Sequence, residues 1–444
     1  MKSIKQRLAA LSFLEFAVWG AYLISMGMYL GNHGLGPQIF WFYTVQGLVS
    51  LFMPALVGIL ADRVIPAQKM LSLCHAIAGM FMIAAGWFCM SCGDTLEFGT
   101  LFTLYTISVA FFMPTIGLSN SVAFNALTVN GLDTVRDFPP IRVFGTVGFI
   151  VAELMVNFVS IDGVTLQHSY TQFYASGILS LVLAVYSLTM PPCPLNRDKG
   201  ATFAESLGLN AFALFKNRKM AVFFIFSMLL GVSLQLTNTY GTSFINQFAK
   251  AGFTDWFSQN PTFLISISQC SEALCILGIG YCLKRFGIKG VMLIAMFAWV
   301  FRFGLFGIGS TAFPGIVWLV LSCIVYGVAF DFFNVSGGIY VDRQTDVKMR
   351  SSAQGLFMIM TNGIGASLGT FIAGKFIVNP LTEAPGLTEV QKLAGFKEAW
   401  LIFAAYALVV GILFWMIFRD DKKDAPDKPE VKAGLQAAAT DPEV

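Results

Sequence analysis

The sequence predicts an all-α membrane protein with twelve transmembrane helices arranged in two six-helix halves. Three observations predict this fold class. Of the 444 residues, 56% are hydrophobic and only 12% are charged, about half the charged share of an ordinary soluble domain. Apolar runs of ~20 residues, the length that crosses a hydrocarbon core, recur along the chain. Basic residues concentrate in alternate loops, as expected when successive loops lie on opposite sides of a membrane.

Each apolar run is predicted to be one membrane helix. The first run follows Lys2, Lys5 and Arg7, but it is too long for a signal peptide and lacks a cleavage pattern, so we expect it to remain as helix 1. The twelve runs cover residues 8–30, 39–61, 68–90, 98–120, 141–160, 171–190, 220–240, 261–283, 290–309, 315–338, 353–377 and 398–418.

The longest polar break between apolar runs divides the chain into two halves. We predict an N-terminal six-helix half over 1–190, a cytoplasmic central loop over 191–219 and a C-terminal six-helix half over 220–418. The remaining residues, 419–444, are rich in Asp, Lys, Pro and Ala and are expected to form a disordered tail.

The distribution of basic residues predicts the orientation of the helices. Nearly all Lys and Arg residues fall on the side that carries both termini and the central loop. The exceptions are Lys250, Lys375, Lys392 and Lys397 on the other side, and Arg302 within a helix. Because basic loops remain in the cytoplasm, both termini and the central loop are predicted to be cytoplasmic.

Two helices end in related segments at equivalent positions of the two halves. Helix 2 ends in Gly58-Ile-Leu-Ala-Asp62-Arg63, and helix 8 ends in Gly280-Tyr-Cys-Leu-Lys284-Arg285. The first segment resembles the short loop motif of the major facilitator superfamily. Duplicated halves of this kind rock about a central site in secondary transporters.

Several classes of function are excluded by the composition and the motifs. The net charge of only +3 gives no electrostatic footprint for nucleic acid. Residues 369–376 imitate a phosphate loop, but no Ser or Thr follows Lys375, and the segment lies in an apolar run. Zinc-protease and serine-hydrolase motifs are absent from the sequence. We therefore expect no enzyme activity and no cofactor, and an ion gradient as the energy source.

Ionisable side chains within apolar helices are candidates for function, because each costs on the order of 2.5–3.5 kcal/mol on insertion scales. Asp331 lies near the middle of helix 10 and Glu272 midway along helix 8, both too deep to reach water. A cavity or a partner must therefore solvate them. Glu15 is a further candidate to line such a cavity, whereas Glu153 and Arg302 are as compatible with a structural role. His75 on helix 3 is expected to be a hydrogen-bonded core residue.

Polar side chains on one face each of helices 5, 7 and 8 are predicted to converge with Asp331 of helix 10. Positions 142, 146 and 149 follow a spacing of i, i+4 and i+7, so they share one face of helix 5. Positions 235 and 238 on helix 7, and 269 and 272 on helix 8, are each one turn apart. The alternative is that the amides only pair with one another and hold the helices together. These faces carry Arg142, Thr146, Phe149, Gln235, Asn238, Gln269 and Glu272.

Five stretches of the sequence resemble the nucleoside:proton symporter family of the major facilitator superfamily. They cover 137–150, 210–217, 224–231, 326–334 and 352–363. The resemblance implies a nucleoside site formed by Arg142, Thr146, Phe149, Gln235, Asn238, Gln269, Glu272, Tyr326, Phe330 and Asp331. The sequence departs from the family pattern at Glu15, where Gln is expected, and at Glu153, where an apolar residue is expected.

The predicted function is import of purine or pyrimidine nucleosides, such as uridine and adenosine, by proton symport and alternating access. Asp331 or Glu272 is expected to bind the proton, and Arg142 to favour its release. The expected partners are a nucleoside, protons and the lipid of a bacterial inner membrane. The alternatives are a carrier of another polar metabolite such as a sugar, an exporter, or a receptor that binds without translocation.

Overall fold

The computed structural model describes residues 2–93, 95–195, 209–345 and 350–418. The predicted tail over 419–444 and the part of the central loop over 196–208 lie outside these residues, so the predictions made for them are not tested.

The first six membrane helices precede the central loop in the chain. We label them α1 to α6; α1 consists of two segments joined by a turn, and a short hairpin of strands β1 and β2 connects α5 to α6. Their bounds are Lys2–Gly20 and Met26–Asn32 for α1, Ile39–Arg63 for α2, Ala67–Cys92 for α3, Phe98–Val129 for α4, Thr134–Phe158 for α5, Ser160–Ile161 for β1, Val164–Thr165 for β2 and Thr171–Ser187 for α6.

The second six helices follow a short 3-10 segment, Leu209–Lys216. Two of them lie within Pro261–Ile308 and are separated only by Gly287, which adopts the non-helical angles φ 69° and ψ 176°. Glycine tolerates this conformation, and the chain changes direction there. The bounds are Arg218–Leu234 and Leu236–Lys250 for α7, 261–286 for α8, 288–308 for α9, Ile316–Gln344 for α10, Arg350–Met358, Ile359–Gly365, Ala366–Ile372, Ala373–Val378 and Asn379–Thr382 for α11, and Glu389–Ile417 for α12.

The prediction of twelve membrane helices is confirmed. Within the described residues, nine helical stretches are long and apolar enough to cross a membrane, and the stretch Pro261–Ile308 supplies two of the twelve helices. The N-terminal helix α1 and the shorter α6 complete the set. Three predicted bounds differ by nine or ten residues: helix 7 ends at Lys250 rather than 240, helix 4 ends at Val129 rather than 120, and α12 begins at Glu389 rather than 398. Its first turns are polar and are started by a capping box between Thr388 and Gln391, a signal independent of hydropathy.

Helices α7 and α11 pack closely through glycine. A Cβ atom added at Gly365 would lie 2.4 Å from the carbonyl oxygen of Met228, and one at Gly369 would lie 2.4 Å from Cα of Val232. Both distances are too short for any side chain. Gly365 and Gly369 form a G-x-x-x-G pair, a spacing that permits close approach of membrane helices.

We call the face where α1 begins and α12 ends the terminal face, and the other the far face. Contacts between the two halves close the bundle toward the far face. The Oγ1 of Thr242 donates to the carbonyl oxygen of Ile24 at 2.6 Å, and Nδ2 of Asn246 donates to Oδ1 of Asn32 at 3.1 Å. A further pair joins the halves at the same face: Nδ2 of Asn157 in α5 donates to Oδ1 of Asn260, beside the start of α8.

Candidate functional site

A cavity of about 700 Å³ lies between the two halves. Its volume falls within the range of about 300–1,000 Å³ that is usual for small-molecule sites. Nine of the ten side chains predicted for the site border this cavity, and they come from α5, α7, α8 and α10. They are Arg142, Thr146, Phe149, Gln235, Asn238, Gln269, Glu272, Tyr326 and Phe330.

The cavity extends toward the terminal face. Pro54 and Ala55, in the last turns of α2, border it on one side. Gly355 and Met358, in the first turns of α11, border it on the other. Because contacts between the halves close the far face, this is the conformation in which solute reaches the site from the terminal face.

Helix α5 presents a cation, a hydroxyl and an aromatic ring to the cavity. The guanidinium carbon of Arg142 lies 3.9 Å from the centre of the Phe16 ring of α1, a cation-π contact that holds the long side chain across the cavity. Arg142 also interacts electrostatically with Glu272 of α8. Thr146 and Phe149 follow on the same face, and Phe149 is buried.

Helix α7 is interrupted at the cavity. Its two segments meet at Gln235. The Nδ2 of Asn238 donates a hydrogen bond to Oε1 of Gln235 at 2.7 Å. This bond uses one donor and one acceptor of the pair, so the remaining amide groups are available to a ligand. The prediction that both amides face a shared polar centre agrees with their position, while the alternative of mutual pairing is also realised in part.

Helix α8 contributes an amide and an acid one turn apart. Gln269 is buried, and its Oε1 has no hydrogen-bond partner among the described residues. Glu272 is half-buried at the cavity wall. A buried amide oxygen without a partner is an acceptor that a ligand or water would satisfy.

Helix α10 forms an aromatic wall. Tyr326 and Phe330 are one turn apart and stack with their ring centres 5.6 Å apart and an interplanar angle of 18°. Trp299 of α9 packs edge-on against Tyr326 at 5.8 Å. The guanidinium of Arg302 lies 5.1 Å from the same ring on the protein side, so this predicted intramembrane cation supports the wall from behind.

Asp331 differs from the other predicted site residues, because it is not among the residues that border the cavity. Tyr326 and Phe330 share one helix face, and Asp331 is turned about 100° away from Phe330. It is buried, its Oδ2 has no hydrogen-bond partner among the described residues, and it interacts electrostatically with Glu272. This position places it behind the wall rather than in it.

The expectation that Glu15 lines the cavity is wrong. One carboxylate oxygen of Glu15 lies 3.0 Å from Nε2 of His75, and the other accepts a hydrogen bond from Thr115 at 2.6 Å. Both Glu15 and His75 are 0% exposed. Glu15 therefore faces the interior of the N-terminal half, and His75 is the hydrogen-bonded core residue that the sequence predicted.

Several polar side chains at the cavity were missed by sequence reasoning. Gln46 and Ser50 of α2 are one turn apart, and Asn362 of α11 borders the same cavity. The spacing of 46 and 50 is the same signal that identified the face of α5. The aromatic Trp19 of α1, which packs edge-on against Phe149 at 6.1 Å, gave no such signal, because single aromatic residues are common in membrane helices.

Known proteins resemble this chain along nearly its whole length. The xanthosine permease of Escherichia coli K12 is 42% identical over 423 residues, covering 94% of this chain and 96% of the permease. The nucleoside permease NupG of the same strain is 41% identical over 422 residues, covering 94% and 96%.

Solved structures share the fold. A crystal structure of the nucleoside transporter NupG superposes with a TM-score of 0.84 at 40% identity, covering 94% of this chain and all 100% of that one. The xylose transporter XylE of Escherichia coli shares the fold alone, at a TM-score of 0.63 and 13% identity, covering 95% and 100%. The architecture is that of the major facilitator superfamily.

A sequence family described as nucleoside H+ symporters matches residues 1–423. Members of this family are transporters rather than enzymes. The match extends from the start of α1 to beyond the end of α12, so it includes every helix that borders the cavity. This chain therefore belongs to the nucleoside proton symporter family.

Proposed function

We propose that the chain imports purine or pyrimidine nucleosides together with protons, and that the cavity between the halves is the nucleoside site. The observation that carries this proposal is the convergence of nine predicted side chains, from four helices, on one cavity. Uridine, adenosine and xanthosine are the first substrates to test, because relatives at 41–42% identity are named as nucleoside and xanthosine permeases.

The aromatic side chains suit the nucleobase. A base is a flat heterocycle, and it binds well between apolar walls. Tyr326 and Phe330 already stack on each other on one side, and Phe149 stands on α5 in the other half. A base placed between them would touch both halves, so its binding would be sensitive to their relative position.

The polar side chains suit the rest of the molecule. Gln235 and Asn238 each offer donors and acceptors, which match the edges of several bases. Arg142 and Glu272 make the stronger, charge-assisted hydrogen bonds, which suit the hydroxyl groups of the ribose. Gln269 offers an acceptor that has no partner in the protein.

Proton coupling is assigned to Glu272, Asp331 and Arg142. Glu272 interacts electrostatically with both of the other groups. Two carboxylates beside one guanidinium leave an unbalanced negative charge in a medium of low dielectric constant, which a bound proton removes. A nucleoside that occupies Arg142 changes this balance, and in this way substrate and proton binding are coupled.

The transporter is proposed to lie in a bacterial inner membrane with the terminal face in the cytoplasm, as the basic residues predict. The cavity then opens to the cytoplasm in this conformation. A reporter that is active only in the cytoplasm, fused after residue 444, should be active. A reporter active only outside the cytoplasm should give no signal at the same position, and the reverse result would invert the orientation.

Uptake tests the proposed function directly. Cells deficient in nucleoside uptake and expressing the chain should accumulate labelled uridine or adenosine, and a protonophore should abolish the accumulation. Uptake that is unaffected by the protonophore would exclude symport. Competition by unlabelled nucleosides, but not by sugars, separates the proposal from a carrier of other polar metabolites, and counterflow in proteoliposomes separates it from a receptor.

A further inference from the structure

Glu153 of α5 continues the face that borders the cavity. Arg142, Thr146 and Phe149 line the cavity, and position 153 follows at i+11 on the same side of the helix. Glu153 lies beyond the cavity, about one and a half turns before α5 ends at Phe158 on the far face. It is therefore deeper toward the far face than any predicted site residue of α5.

The next turn of this face seals the two halves together. Nδ2 of Asn157 donates to Oδ1 of Asn260 at 2.9 Å, and the backbone N–H of Phe263 donates to Oδ1 of Asn157 at 3.1 Å. Both partners are at the start of α8, in the C-terminal half. Glu153 is thus enclosed between this seal and the closed end of the cavity.

The carboxyl group of Glu153 is buried without a partner. Glu153 is 0% exposed, and neither Oε1 nor Oε2 of its side chain has a hydrogen-bond partner among the described residues. Glu15, in contrast, is equally buried but has partners on both oxygens. Burial of an ionised carboxylate without hydrogen bonds or a cation is strongly unfavourable.

The groups around Glu153 do not favour a negative charge. Across the interface it interacts electrostatically with Glu272 and Cys270 of α8 and with Tyr326 of α10. On the side of α1, its neighbour Ala152 packs against Ala17 and Ala21. Arg142, the cation on its own helix, is three turns away and at the cavity. The packed interface therefore accommodates the neutral, protonated acid.

We propose that Glu153 is a second proton-binding site, separate from Glu272 and Asp331, and that the α5–α8 contact closes only over its protonated form. When the far face opens, water reaches the carboxyl group and it can ionise. When it is protonated, the contact can close and the cavity opens to the terminal face. Acidic solution on the far side thus favours the conformation described here, by linkage between proton binding and closure.

The inference rests on the proposed alternating access, but it is tested without nucleoside. The full chain in lipid nanodiscs, at equal pH on both sides, carries spin labels at Ile161 and Phe313, attached through a genetically encoded reactive amino acid. These residues are 50% and 84% exposed, on the far face of the N-terminal and C-terminal halves. The distance between the labels reports whether the far face is closed or open.

Raising the pH from about 5 to about 9 should shift the wild-type protein from a population with a short distance between the labels to one with a long distance. Glu153→Gln and Glu153→Leu, which are always neutral, should keep the short population throughout, whereas Glu153→Asp should retain a shift with pH. Glu398→Gln, which removes an exposed acid of α12, should behave like the wild type.

Two outcomes would overturn the proposal: a wild-type distance that does not change with pH, or a Glu153→Gln distance that shifts as far as the wild type does. The second outcome would assign the pH response to Glu272 or Asp331. Because Glu153→Leu is tested beside Glu153→Gln, a folding defect of one variant leaves the other to decide. Failure here leaves proton-dependent nucleoside uptake untouched, and failure of uptake leaves the pH-dependent distance untouched.

Discussion

Asp331 is the one predicted nucleoside-site residue that does not border the cavity. It interacts with Glu272 from behind the aromatic wall, so it can influence the charge balance of the cavity without touching a nucleoside. This separation of proton and substrate is useful in a symporter, because a proton site that does not contact the nucleoside can be occupied before the nucleoside binds.

Replacing Asp331 by Asn should abolish accumulation while leaving exchange intact. The amide has nearly the same shape but cannot take up and release a proton, so the gradient no longer drives transport. Labelled nucleoside in proteoliposomes should then reach only equal concentrations on both sides, and counterflow should continue. Glu398→Gln on α12 is the control and should accumulate normally. Normal accumulation by Asp331→Asn would mean that another acid carries the proton.

Replacing Asn238 by Ala should weaken nucleoside binding about 2- to 13-fold, because a hydrogen bond to the ligand contributes ~0.5–1.5 kcal/mol. The change also removes the donor that orients the Gln235 side chain. Titration of purified protein by calorimetry measures the effect. Asn130→Ala, at an exposed amide that ends α4, should bind as the wild type does. An unchanged affinity in Asn238→Ala would restrict this amide to helix packing.

At the scale of elements, hydropathy and spacing predicted the helices and the faces of α5, α7 and α8 that meet at the cavity. They could not distinguish Asp331 from its neighbours, because a polar residue one position along a helix points about 100° away. They also misplaced Glu15. Its partners, His75 and Thr115, lie on α3 and α4, and single-helix periodicity carries no information about which helices are neighbours.

Replacing Gly369 by Leu should separate α7 from α11. The added side chain would have to occupy the position of the Val232 backbone, and overpacking of this kind typically costs ~1–3 kcal/mol. The thermal unfolding midpoint of the detergent-solubilised protein should fall, and uptake with it. Gly278→Leu is the matched control, since a Cβ atom at Gly278 meets no atom within 4 Å. An equal midpoint for both variants would contradict the packing described.

At the scale of the whole molecule, the twofold division of the chain was visible in the sequence, but the relative position of the halves was not. The contacts that close the far face include isolated polar pairs such as Asn32 and Asn246. Either residue alone is an ordinary asparagine near a helix end. Their pairing depends on the conformation of the transporter, and a sequence specifies both conformations at once.

Cross-linking the far face should therefore stop transport without abolishing binding. In the double variant Asn32→Cys, Asn246→Cys, a short bifunctional thiol reagent should join the halves where the two side chains now meet at 3.1 Å. The cavity would remain open to the terminal face, so purified protein should still bind nucleoside. Uptake into cells should fall to the level of untransformed cells, because the far face can no longer open.

The two single variants control for modification of the eight native cysteines, and both should keep their uptake after the same treatment. Reduction of a cleavable reagent should restore uptake in the double variant. If the cross-linked protein transported at the rate of the single variants, the contact between Asn32 and Asn246 would not open during the cycle. Nucleosides would then have to enter by a route other than separation of the halves at this face.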